Sequence, residues 1–193
     1  MKKKTWLLIA FLLVALAQLY VPAQMIWSRE TILAEGEEFK FRTAPIDPND
    51  PFRGKYITLR FKEEEIEVEN ADDWQHNQEI YVRLQIDKQG FARPESISKD
   101  KPTTPEFPFV KATVRYVNTL NGKATMSINY PFDRFYMEES KAPEAEETYV
   151  ESQLDSTQIA YALVRIKNGD AVLKDVFIDS VSITELVKAR RKK

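Results

Sequence analysis

The chain has no cysteine among its 193 residues. That excludes disulfides, thiolate catalysis and Cys-ligated metals together, and it suits an oxidising compartment. Histidine is nearly absent too: His76, in "DDWQHNQ", stands alone. A His-rich metal site is therefore excluded, a His-based triad lacks redundancy, and a polar loop is the plain reading of His76. An excess of basic charge is also missing. Beyond Trp27 the chain carries 25 Lys and Arg against 30 Asp and Glu, a balance of −5, once Lys2, Lys3 and Lys4 are set aside. Without a basic stripe to displace counterions, no nucleic-acid partner is expected.

Charge of either sign is absent from Trp6 to Trp27, within "MKKKTWLLIAFLLVALAQLYVPAQMIW". A run of this length matches the ~20 residues a helix needs to cross a hydrocarbon core, and Trp6, Tyr20 and Trp27 sit near its ends, where amphipathic rings favour the interface. Ala15-Leu16-Ala17 offers a cleavage site for a secretory signal. The apolar run continues past it through Leu19, Tyr20, Val21, Met25 and Ile26, which favours an uncleaved signal anchor. Lys2 to Lys4 then hold the N-terminus in the cytoplasm, and the remainder is sent to the periplasm. Residues 1–35 read as the anchor and its helical extension, stopped at Gly36.

Residues 36–193 read as a mainly β domain, an antiparallel sheet or barrel built from hairpins. "EFKFR", "KYITLRF", "EIYVRLQI", "FVKATVRYV", "ATMSINY", "IAYALVRI" and "AVLKDVFIDSVSI" all alternate at the strand period. In "KYITLRF", Tyr56, Thr58 and Arg60 share one face while Ile57, Leu59 and Phe61 share the other. "APEAEETYVESQL" is the one short helix expected, over 143–154, with Pro143 in its first turn. "YVRLQIDKQGFA" and "YALVRIKNGDAV" form similar hairpins, either by internal duplication or by convergence on turn chemistry. The proline-rich "RPESISKDKPTTPEFPF" reads as an extended connector that separates two sub-units, about 36–100 and 106–193.

Acidic residues are plentiful, yet "KEEEIEVENADD" has the spacing of no calcium loop, and Ile66 and Val68 alternate with glutamates as on a solvated strand. No metal and no cofactor is expected. The densest restraint lies in "PIDPNDPFRG", where three prolines fix φ and Asp47 and Asp50 suit Asx-turns. Backbone geometry explains a rigid corner but not Arg53. Its guanidinium either neutralises the two carboxylates or presents itself to an anion or a partner.

"PIDPNDPFRGKYITLRF" resembles the signature of the GDYXXLXY family, standing here as Gly54-Lys55-Tyr56-Ile57-Thr58-Leu59-Arg60-Phe61. Lys55 takes the place of the Asp, inverting a charge, and Phe61 that of the final Tyr, keeping the ring. "FDRFYMEESKAPEAEETY" is similar to the family's later block, with Arg134, Glu139, Ala142 and Glu146 at matching positions. The resemblance implies a bacterial membrane-anchored accessory protein that associates with an integral membrane protein, and it carries no activity with it. Asp47, Asp50, Arg53, Tyr56, Arg134 and Glu139 are the candidate binding residues. The alternative is a carboxylate-based hydrolase of envelope material, with a pair such as Asp47 and Glu139 as acid and base.

Overall fold

A computed structural model describes residues 2–44, 56–103, 107–120, 122–138, 140–154 and 157–191. A 34-residue helix, α1 (Lys2–Glu35), leads into a domain of mostly antiparallel β-sheet. At 1.5 Å per residue α1 is about 51 Å long, enough to cross a membrane and enter the domain beyond it. The large apolar side chains of its Trp6–Trp27 stretch are exposed, Trp6 at 73% and Trp27 at 78%. Ile32, one turn further on, is buried.

The junction between helix and sheet is closely fitted. Gly36 ends the helix, donating its amide to the Ile32 carbonyl at 2.8 Å, and a Cβ at this position would lie 2.4 Å from that same oxygen. Only glycine fits there. Arg29 donates to the Ala171 carbonyl at 2.9 Å, Arg165 donates to the Gly36 carbonyl at 2.8 Å, and Glu35 pairs with Lys167. Helix α1 is thus seated on the sheet without a linker.

One five-stranded sheet runs β12 (Val181–Ser182), β11 (Asp170–Ile178), β10 (Ala160–Lys167), β1 (Glu37–Ala44), β3 (Arg60–Phe61). The other runs β4 (Glu65–Val68), β8 (Lys123–Asn129), β7 (Phe109–Leu120), β5 (Glu79–Ile86), β6 (Ala92–Ser98). A two-stranded ribbon pairs β2 (Tyr56–Thr58) with β9 (Arg134–Tyr136). The sheets wrap, barrel-like, around one core that includes Phe39, Phe41, Leu59, Val82, Met126, Ile128 and Val164. Strands from both sides of the proline-rich segment are mixed in each five-stranded sheet.

Helix α2 (Ala142–Leu154) lies where expected. Three elements differ from the sequence reading. The end of "AVLKDVFIDSVSI" is broken by a turn at Asp179 and Ser180, both at positive φ, and the chain then forms α3 (Ile183–Arg190), capped by the Ser182 hydroxyl accepting from the Thr184 amide. The strand β6 occupies the first half of the supposed connector; its Pro94 is tolerated because β6 is an edge strand with a bulge opposite Arg83 and Leu84. "KYITLRF" is two short strands rather than one. At the break Leu59 donates its amide to the Asp133 carbonyl at 2.7 Å, so the chain switches partners from β9 to β1.

The alternation across this break is as read: Ile57, Leu59 and Phe61 are buried, at 1%, 1% and 3% exposure, while Arg60 is exposed. Leu59→Ala leaves a cavity between the ribbon and the sheets, and it is expected to lower unfolding stability by about 2–5 kcal/mol. Chemical denaturation of the full chain checks this; an unchanged midpoint would place Leu59 outside the core.

Candidate functional site

The two segments that stood out in the sequence meet in the β2–β9 ribbon. Its register sets Tyr56 opposite Tyr136, Ile57 opposite Phe135 and Thr58 opposite Arg134. Ile57 turns into the core, and the period of two then turns Tyr56 and its cross-strand partner Tyr136 outward. Their rings lie 5.4 Å apart, inclined at 55°, and the Arg134 guanidinium stands 5.1 Å over the Tyr56 ring. Tyr136 is 64% exposed. A side-chain hydrogen bond to Tyr136 and the nearby Asp133 carboxylate hold Arg134 further towards its protonated state. Two tyrosines and an arginine thus lie together on a short ribbon, Arg134 and Tyr136 exposed and Tyr56 half-buried; these are residue types enriched at protein interfaces.

Of the six candidate binding residues, Tyr56 and Arg134 are brought together. Asp47, Asp50, Arg53 and Glu139 lie outside the described residues, and with them the acid–base pair that a hydrolase would need. Tyr136 was not singled out from the sequence, although an alternating "RFY" in the second block carries the strand signal that places it. His76 lies in a turn, its Nδ1 2.5 Å from the Arg115 carbonyl. No group of three or more His, Asp or Glu residues suited to a metal occurs among the described residues.

A second charged cluster lies where β1 passes the β5–β6 turn. The Arg42 guanidinium stacks 4.0 Å over the Phe91 ring and donates to Asp87 at 2.8 Å and to Gln89 at 2.5 Å. Asp87 closes its own turn as well, its Oδ1 accepting from the Gln89 amide at 2.8 Å and the Phe91 amide at 3.0 Å. Arg93 reaches the same carboxylate at 3.2 Å. This cluster pins the hairpin to β1.

The ribbon on its mainly antiparallel β domain, carried by one apolar helix, defines a protein with a membrane-type helix and a folded β-rich head. The GDYXXLXY protein family matches residues 18–176, most of the chain. The chain belongs to that family. No curated protein and no solved structure matches it.

The Phe91 amide, with the Arg42 guanidinium and the Gln89 amide, holds the Asp87 carboxyl down to about 2. An unfolded Asp titrates near ~3.9, so the contribution of ionised Asp87 is complete above about pH 4 and is lost as the pH falls towards 2. The thermal midpoint of the full chain is expected to drop through that window, and Asp87→Asn to reduce the slope of the drop. Equal slopes for the two proteins would mean that Asp87 is not held this way.

Proposed function

We propose that this protein is a membrane-anchored binding protein whose α1 crosses the cytoplasmic membrane, N-terminus inside, and whose β domain engages an integral membrane partner on the periplasmic side. The observation that carries the reading is the contrast along α1: an uncharged, exposed stretch that needs a bilayer, followed within one turn and a half by Arg29 and Ile32 fixed to the sheet. The basic residues Lys2 to Lys4 support the orientation. A head held this close to the membrane surface reaches neighbouring membrane proteins before soluble ones. Its contact patch is Tyr56, Arg134 and Tyr136, supported by the exposure of Arg134 and Tyr136 and by the stacking of the three; Asp47, Asp50, Arg53 and Glu139 are further binding candidates from the sequence.

The full chain, isolated in mild detergent, is expected to bring an integral membrane protein with it. Arg134→Ala and Tyr136→Ala each remove a central contact and are expected to weaken that association by about 2 kcal/mol, roughly 30-fold, with an unchanged thermal midpoint. Retention of the partner by both variants would move the contact elsewhere on the head. Isolation of the chain with no membrane protein attached would overturn the reading.

A further inference from the structure

Glu63 is buried without a full set of partners. It occupies a kink in the 3-10 turn Lys62–Glu64, at φ −93° and ψ 27°, and the Tyr130 hydroxyl donates to its main-chain carbonyl at 3.1 Å. Its side chain is only 10% exposed. Oε1 is 3.5 Å from Arg42 Nη1, a long contact, because that guanidinium is committed to Asp87 and Gln89. Oε2 is buried and has no hydrogen-bonding partner among the described residues. Burial raises the Glu63 carboxyl above the usual range, and Arg42 offsets this only in part. A buried carboxylate oxygen without a partner is costly, and such a group in a native protein calls for something that completes it.

Glu63 lines a cleft of about 610 Å³ between β1, β4 and the β5–β6 hairpin. The mouth carries both signs of charge: Arg42, Lys62 and Arg93 against Glu63, Glu65 and Glu67. A bare cation meets the guanidinium groups and a bare anion meets the glutamates, so neither suits the whole cleft. A hydroxyl group does, since it donates to a carboxylate while accepting from a guanidinium or the Gln89 amide. Ile66 and Pro94 add apolar surface on which the C–H face of a ring can rest. Lys62 and Gln89, both exposed, and the half-exposed Arg93 are long side chains at the rim, able to move aside for an entering group.

We infer that the Glu63–Arg42 cleft is a binding site for a neutral polyhydroxylated ligand, a saccharide of one or two rings, with a ring hydroxyl donating to the Glu63 carboxylate as the rim side chains move aside. This is a second site on the head, separate from the Tyr56–Arg134–Tyr136 ribbon and independent of any protein partner there.

Calorimetric titration and saturation-transfer NMR on the full chain in nanodiscs test it, with cellobiose and N,N′-diacetylchitobiose as probes and 1,5-diaminopentane as a cationic control. Saturable binding of at least one disaccharide at millimolar concentration or below is expected. Glu63→Gln preserves volume but replaces the carboxylate acceptor, and Glu63→Ala removes it; each is expected to weaken binding about tenfold or more, as loss of a charge-assisted hydrogen bond does. Arg134→Ala is expected to bind the disaccharide as the unaltered chain does, which separates this site from the ribbon. Circular dichroism reports whether each variant remains folded, and Glu63→Gln serves if Glu63→Ala does not. No saturable binding of either disaccharide, equal affinity in Glu63→Gln, or binding of the diamine in their place would each overturn the inference.

Discussion

Four rings hold the head together. Phe41 comes from the middle of β1, Phe61 from the end of the "KYITLRF" segment, and Tyr130 and Phe132 from the turn between β8 and β9. Phe41 lies 4.9 Å from Phe132 and 5.4 Å from Tyr130, Phe61 lies 5.2 Å from Phe132, and Tyr130 stacks on Phe132 at 5.1 Å. All four are nearly inaccessible. Because β1 belongs to one five-stranded sheet and β8 to the other, this cluster is one of the places where the sheets are joined, and the ribbon follows directly from it. Edge-to-face and tilted pairs of this kind contribute beyond their buried area. A Tyr at position 61, as in the family signature, would bring a second hydroxyl, beside that of Tyr130, into this buried cluster; Phe61 avoids the need for a further partner.

The same constraint connects α1 to the ribbon. Strand β1 begins directly after Gly36, runs beside β10 from Glu37 opposite Ile166 to Arg42 opposite Tyr161, and ends at β3. Along its length it meets in turn the helix junction, the aromatic joint at Phe41 and the charged cluster at Arg42. Arg165 and Lys174 clamp Glu38 at 2.9 and 3.2 Å beside the helix end. A tilt of α1 therefore acts on β1 itself, with no linker to absorb it. The β2–β9 ribbon and α1 are thus connected through one eight-residue strand.

Much of this was legible in the sequence because it rests on periodicity. The uncharged run marks α1; alternation marks β1, β5, β7, β8, β10 and β11; Ala and Glu content marks α2. The likeness of the two hairpins goes further than their turns. In β5–β6 the register shifts between Arg83 and Leu84, in β10–β11 between Leu163 and Val164, and these are matching places in "YVRLQI" and "YALVRI". Asn168 and Gly169 both take positive φ, as the Asn-Gly turn requires. What stayed hidden was set by distance along the chain or by competition. The pairing of β2 with β9 joins residues about eighty apart; Arg42 and Asp87 are 45 apart, and Glu63 looked like one more solvated acid. Strand β6 lay under a proline that only an edge position forgives, and α3 lay behind a turn of two positive-φ residues that no glycine announced.

The aromatic joint acts as one unit rather than as four separate apolar residues. A double-mutant cycle on the full chain, Phe41→Leu against Phe132→Leu, measures that directly by chemical denaturation. Each substitution keeps a large apolar side chain while removing a ring, so the coupling isolates the ring–ring contact. The account predicts a coupling of about 0.5–1.5 kcal/mol, with the double variant losing less than the two singles together. Strict additivity of the two substitutions would contradict it, and would mean that these rings act as separate apolar residues.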